Sequence, residues 1–393
     1  MRIERVEVFV VKIARHDRFG GQTAPPATLG RSDYYFEAEW EEIYATKIQG
    51  MLVCLTTDSG LEAWGEGQAP IVPEVAASVI NHLLAPVLLG EDPLRHAWLR
   101  DRLTGTMRNR GQVAGFMLDA VAAVDNALWD LKGRHYGAPV AELLGGPYRR
   151  RLDAYVSGIR APTTDTRVEL AARHLAHGFA GVKAYLGRGL SADVAEVEAL
   201  RDGLGPGARL EADCFWRYDL ADAVRLGRAL DRCAYEWMEA PMDPGDVAGH
   251  ARLARAIDTR VAVGEPIRSA EAFHPWLQAG AIGLAQPDVV RIGITESRRI
   301  AELAALFGVN VGFHVGVCLG IGMAATWSLA AAVGNFQIQE HEPVMLEATN
   351  VFLTPALQEA GGTLLLPDGP GLGVGVNRTA LAPLVAEHHV VAL

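Results

Sequence analysis

Apolar and polar positions alternate with a period of two from the second residue onward, MRIERVEVFVVKI, and the alternation predicts an opening strand. The same pattern over IYATKIQGMLVCLTTDSG and LEAWGEG, divided by the turn signal Asp58-Ser59-Gly60, predicts a hairpin or meander up to about residue 65. Residues 14–40 show no apolar period and collect turn formers and aromatics: Phe19, Gly20, Gly21, Pro25, Pro26, Tyr34, Tyr35 and Phe36. A long loop of that kind is either a functional lid or disordered. From about residue 71 to 144 the apolar spacing changes to three and four. There GFMLDAVAAVDNALWDLKGRHYG closes on Gly137 behind Lys132, Arg134 and His135, the signature of a helix exit.

Beyond Arg151 short apolar runs alternate with helical ones. Eight runs read as strands: LDAYVSG, GVKAYLG, RLEADC, YEWMEAP, VAVGEP, IGLAQPDV, VNVGFHVG and FQIQEHEP. Between them lie helical patterns such as SADVAEVEALRDGLG and ITESRRIAELAALFG. Strand alternating with helix predicts an α/β fold, a parallel sheet with right-handed crossovers. Asp213, Glu239, Glu265, Asp288, His314 and Glu340 follow one another at intervals of 26, 26, 23, 26 and 26 residues, one strand-helix unit each. They therefore fall at one height on successive strands and form a ring. A ring favours a closed (β/α)8 TIM-like barrel over an open sheet, with its chemistry at the C-terminal mouth.

Composition narrows the class of partner. Half the chain is apolar and 21% is charged, as in ordinary globular proteins. Thirty-six basic against 47 acidic side chains leave a net charge of −11, which repels polyanions and argues against nucleic acid. Cys54, Cys214, Cys233 and Cys318 are far apart and form no C-x-x-C pair, which fits a reducing, cytoplasmic setting. The N-terminus lacks the continuous apolar stretch of a signal peptide. Residues 317–336 carry no formal charge and are long enough to cross a bilayer. No Lys or Arg flanks them closely, and Gly320, Gly322, Ser328 and Asn335 dilute them, so they read as a buried helix and no membrane partner is expected.

Three carboxylates on adjacent strands, Asp213, Glu239 and Glu265, repel one another unless a cation lies between them, and a hard oxygen-only set suits Mg²⁺. The plain alternative is three surface or ion-paired acids. Asp288 and His314 lie on neighbouring strands, where a carboxylate can hold one imidazole nitrogen and raise the basicity of the other, so His314 is the leading general base. Lys183 and Tyr185, two apart on the second strand, both point inward. A rival motif is Gly320-Ile-Gly322, after a strand and before a helix, with Glu340 twenty residues later, which mimics a dinucleotide fingerprint. No second mononucleotide half accompanies it. Gly371, Gly373 and Gly375 follow a turn and precede no helix, and read as loop geometry.

These residues resemble the enolase superfamily, specifically its mandelate racemase subgroup. The resemblance runs through A-W-G-E-G at 63–67, A-L-W-D-L-K-G at 127–133, V-K-A-Y at 182–185, the three acids and Q-P-D at 286–288. It continues through His314, I-Q-E at 338–340 and P-D-G-P-G-L-G at 367–373. It implies an α+β capping domain over residues 1–145, completed by the C-terminal segment 346–393, above a modified barrel over residues 146–345. By the same resemblance Asp213, Glu239 and Glu265 bind Mg²⁺, His314 and Asp288 form the base dyad, Glu340 hydrogen-bonds the substrate carboxylate, and loops near residues 15–36 and 50–67 close over the site. It also implies a homo-oligomer. Two departures stand out: Tyr185 occupies the second position of the subgroup's K-x-K, and Phe215 stands where members often carry Asn.

The family reaction removes a proton next to a carboxylate, which needs positive charge against the developing ene-diolate. Mg²⁺, Lys183 and a neutral or hydrogen-bonding Glu340 would supply that field. Racemisation needs a base on both faces of the carbon, and unperturbed Tyr titrates near 10. Elimination needs only His314. The expected activity is therefore a sugar-acid dehydratase forming a 2-keto-3-deoxy acid from an aldonate or aldarate, a lyase. The alternatives are a racemase, epimerase or cycloisomerase using the same intermediate, and a non-catalytic sugar-acid binding protein.

Overall fold

The computed structural model describes residues 1–15, 21 and 26–393. The opening alternation forms the strand Ile3–Ala14, which pairs antiparallel on both sides. On one side lies Lys47–Thr57, followed by Glu62–Gly67; on the other lies Val385–Ala392, so the end of the chain completes a four-stranded sheet begun at its start. The helix Phe116–Tyr136 packs across this sheet and is buried along most of its length. Gly65 explains how closely they approach: a Cβ there would lie 2.1 Å from the Ala123 carbonyl oxygen and 2.5 Å from the Ala127 nitrogen. Only a bare backbone fits that contact.

Eight parallel strands follow: Arg151–Ser157, Gly181–Tyr185, Leu210–Asp213, Trp237–Glu239, Arg260–Val263, Leu284–Ala285, Asn310–Val311 and Gln339–His341. Each pairs with its predecessor from the second to the seventh, and the eighth pairs with the first in register Glu340↔Tyr155. The seventh meets the run leading into the eighth through the bridge Val311↔Phe336, which closes the barrel. The C-terminal segment also reaches the barrel, where the hairpin Gln358–Ala360 and Thr363–Leu365 pairs antiparallel with Arg151–Asp153.

The regular ring predicted from spacing holds for the first two acids and then drifts outward. Asp213 and Glu239 end their strands, and Glu340 lies inside its strand. Glu265 is two residues past its strand, and His314 is three past its own. Asp288 is not on a strand: it is the N-cap of the helix Val289–Leu306, accepting from the Val290 N–H at 2.9 Å. Pro266 and Pro287 lie in these short-stranded stretches and have no N–H to continue a ladder.

The aromatic-rich segment differs from a plain loop. Tyr34–Glu37 and Glu42–Ala45 form a small antiparallel hairpin, with Tyr35 buried and Phe36 exposed. Four residues per strand are too few for their alternation to stand out. Phe19, Gly20 and Pro25 lie outside the described residues. The uncharged stretch forms the helix Ile321–Ala332, every residue of which is buried, and no single described helix is long and apolar enough to cross a membrane.

Candidate active site

A cavity of about 430 Å³ opens at the C-terminal ends of the barrel strands, walled by Lys183, Tyr185, Asp213, Glu265, His314 and Glu340 from the barrel and by Glu42, Ile43 and Tyr44 from the capping hairpin. The hairpin is tied to the barrel loops: the Trp40 indole N–H donates to the Leu186 carbonyl at 2.8 Å, and Glu41 pairs with Arg217 at 2.7 Å.

Lys183 stands on the second barrel strand and is 1% exposed. Its ammonium lies 2.7 Å from Glu340 Oε1, 2.8 Å from Glu239 Oε1 and 3.6 Å from Asp213 Oδ2. Burial disfavours its charge, but Glu239 and Glu340 outweigh that and hold it well above the ordinary lysine value. It is a fixed cation. Glu340 is its counterpart: burial opposes ionisation, yet Lys183 holds the carboxyl below its usual range, and its other oxygen accepts from the Val315 N–H at 2.9 Å. Of the neutral or hydrogen-bonding Glu340 expected from the sequence, the structure fits the second: a charged acceptor with both oxygens engaged.

His314 Nδ1 lies 2.7 Å from Asp288 Oδ2, which leaves Nε2 for the cavity. Burial disfavours the charged ring, but Glu265, Glu340 and Asp288 outweigh it and push His314 up to about 10. Glu265 faces the same ring, 3.9 Å from Nε2, and pairs with Arg291. Although burial opposes it, Arg291 and then His314 hold Glu265 down at about 2. Asp213 behaves oppositely: burial and the nearby Glu239 push it up to about 8, with Glu265 adding to the repulsion.

Six of the eight sequence-predicted residues line this cavity; Glu239 and Asp288 stand behind it, against Lys183 and His314, and the three acids do not close into the expected cluster. The group whose ligand atoms lie within 4.8 Å of one another is Glu239, His314 and Glu340. Lys183 holds Glu239 and Glu340, whereas Glu265 pairs with Arg291. The donor chemistry still fits a divalent cation, because Asp213, Glu239 and Glu265 offer only carboxylate oxygens and Asp213 resists ionising beside the others without added positive charge.

Tyr185 places its hydroxyl 3.3 Å from Ser157 Oγ and within 3.4 Å of Arg160 Nη2, while the Phe215 ring packs edge-on at 5.1 Å. Burial, opposed by Arg160, pushes the phenol up to about 12. It keeps its proton. Sequence reasoning did not find Arg160, Glu342 or Arg291. A signal existed for each: Arg291 lies one helical turn after Asp288, Glu342 lies two after Glu340, and Arg160 follows the first strand by three.

The rival glycine motif is filled from within the chain. Glu66 accepts from the Leu319 N–H at 2.5 Å and the Gly322 N–H at 2.7 Å, occupying the helix end where a phosphate would sit.

Residues 166–380 match the enolase C-terminal domain-like family, and residues 45–145 match the mandelate racemase / muconate lactonizing enzyme N-terminal domain. The chain belongs to the mandelate racemase subgroup of the enolase superfamily. Among members of this superfamily, the D-galactarolactone cycloisomerase of Agrobacterium fabrum is 33% identical over 344 residues, 84% of this chain and 90% of that enzyme. A solved enolase-superfamily protein from Agrobacterium tumefaciens superposes with a TM-score of 0.91 at 31% identity, over 100% of both chains. L-Talarate dehydratase from Polaromonas sp. JS666, solved with Mg and L-glucarate, superposes with a TM-score of 0.83 at 26% identity, over 100% of this chain and 99% of that one.

Proposed function

We propose that this enzyme removes the proton alpha to the carboxylate of a sugar acid and expels an oxygen from the beta carbon, as a dehydratase that forms a 2-keto-3-deoxy acid. The observation that carries the reading is the 2.7 Å contact between His314 Nδ1 and Asp288, which aims Nε2 into a cavity lined by a buried ammonium and several acids. Nε2 takes the α-proton when the ring is unprotonated, a form that Glu265, Glu340 and Asp288 keep scarce below about pH 10 and that a cation drawing on the Glu265 charge would make more abundant. Asp288 fixes the ring and supports its positive charge. Lys183 offers a permanent charge to the ene-diolate oxygens, and Glu340 holds that ammonium in place.

Asp213, Glu239 and Glu265 are the residues that would hold Mg²⁺. The cation would supply positive charge against the carboxylate oxygens as the α-proton leaves. The talarate dehydratase neighbour, solved with Mg and an aldarate, supports both the metal and the substrate class. Tyr185 and Lys183 both retain their protons, so this wall supplies donors and favours elimination over racemisation.

A second reading has a specific basis in the 33% identical cycloisomerase. The two reactions share the α-proton step and differ in the leaving oxygen. A β-hydroxyl departs as water, whereas a ring oxygen departs without leaving the molecule and the product is an isomer. Aldonic acids, aldaric acids and their lactones, each incubated with Mg²⁺ and followed by NMR and mass, decide between them. Keto-acid formation with loss of water supports the dehydratase, and ring opening without loss of mass supports the cycloisomerase. Tight binding with neither turnover nor α-exchange in D₂O supports a binding protein instead.

A further inference from the structure

We infer that Arg160, anchored by Glu342, and Ser157 are positioning residues that act through Tyr185: they hold its hydroxyl as the proton donor for the leaving oxygen and take up the charge left behind. The inference rests on the proposed elimination and adds three residues to it. Arg160 Nη2 lies 2.7 Å from Glu342 Oε1 and 3.4 Å from the Tyr185 oxygen. A guanidinium can only donate, so the phenol oxygen accepts from it. The ion pair is well shielded, with side-chain exposures of 11% for Arg160 and 6% for Glu342. Ions are costly to desolvate.

Ser157 stands by the same oxygen at 3.3 Å, and its hydroxyl also helps to hold the Glu340 carboxyl below its usual range. A line of polar contacts therefore runs from Ser157 through Tyr185 to Arg160 and Glu342. The phenol approaches bare backbone closely: a Cβ on Gly158 would come 2.6–2.7 Å from its ring and oxygen. Gly158 has φ +70°, a conformation suited to glycine. Tyr185 belongs to the second strand and His314 follows the seventh, so donor and base approach the substrate from different walls.

In the step proposed, His314 takes the α-proton and the C–H electron pair moves into the carboxylate as an ene-diolate. The ene-diolate then re-forms the carboxylate, its electrons making the Cα–Cβ double bond as the Cβ–O bond breaks, and the resulting enol takes a proton from water at Cβ to become the keto acid. The departing oxygen takes the Tyr185 hydrogen. Arg160 and Ser157 donate to the phenolate until it regains a proton from water, and His314 returns its own to solvent. A donor acting at the leaving oxygen leaves a distinct kinetic trace, because its loss slows elimination more than α-proton exchange.

The test measures keto-acid formation and α-deuterium in recovered substrate together, in D₂O with Mg²⁺, on whichever acid or lactone of the panel wild type turns over fastest. The proteins are wild type, Arg160→Ala, Arg160→Lys, Ser157→Ala, Tyr185→Phe and the Arg160→Ala/Tyr185→Phe double variant. Tyr185→Phe is expected to lower kcat by roughly 10²–10³-fold and Arg160→Ala by roughly 10-fold or more, with the ratio of exchange to product rising in both. Arg160→Lys recovers part of the loss, and the double variant is no slower than Tyr185→Phe alone. Multiplying losses in the double variant, or exchange and product falling together, overturn the inference while leaving the proposed function standing. If wild type shows neither exchange nor product on any panel member, the proposed function fails and the inference with it. Should Arg160→Ala not fold because it strands Glu342, the pair Arg160→Gln/Glu342→Gln makes the same comparison.

Discussion

Glu66, on the last strand of the capping sheet, closes the end of a barrel helix by accepting from the Gly322 N–H at 2.7 Å. One buried carboxylate thus joins the two halves of the molecule. Gly322 is the residue that permits the approach, since a Cβ there would lie 3.1 Å from Glu66 Cδ and 2.1 Å from Val290.

That joint makes stability depend on pH. Burial pushes Glu66 up to about 7, against its backbone hydrogen bonds. The folded value exceeds the unfolded one, so the stabilising contribution is complete below the unfolded value near 4.5 and is lost as pH rises through 7. Urea unfolding of wild type and Glu66→Gln between pH 5 and 8 is expected to show wild type losing about 2–3 kcal/mol relative to the variant. A difference that stays constant with pH would contradict the assignment.

Lys183 ties three acids together. Lys183→Met leaves Asp213, Glu239 and Glu340 without their buried counter-charge and is expected to lower unfolding free energy by about 3–5 kcal/mol while abolishing turnover. A loss below about 1 kcal/mol in urea unfolding would show that the ammonium is dispensable to the fold.

The acids should register a divalent cation directly. Adding Mg²⁺ to protein stripped with chelator is expected to raise Tm with concentration, reaching about 2.7 kcal/mol of added stability at a hundredfold excess over Kd. Asp213→Asn and Glu239→Gln should blunt that rise. An equal rise in the variants would place the cation elsewhere.

Asp288 acts on His314 from behind. Asp288→Asn is expected to lower kcat by about 10²–10⁴-fold with KM little changed, measured by steady-state keto-acid formation. A change confined to KM would make Asp288 a binding residue.

Much of this architecture is legible in the chain because barrels repeat. Intervals of 26 residues placed Asp213, Glu239, His314 and Glu340 around one mouth; Asp213, His314 and Glu340 line the cavity there, and Glu239 stands behind it against Lys183. Spacing carries no information on which way a long side chain leans, so the turn of Glu265 toward Arg291 and His314 was out of reach. The hairpin Tyr34–Glu37 and Glu42–Ala45 escaped because its strands are short and Phe36 and Ile43, opposite each other, are both exposed. Arg160 and Glu342 come from separate ends of the barrel sequence, 182 residues apart, and only closure of the first strand against the eighth makes them neighbours.

The most direct test of the central chemistry is proton NMR of sugar acids incubated in D₂O with Mg²⁺ and either wild type or His314→Asn. Wild type should exchange the α-proton or convert the acid to a deuterated product, and His314→Asn should do neither. Equal exchange by both proteins would mean that the imidazole beside Asp288 is not the base.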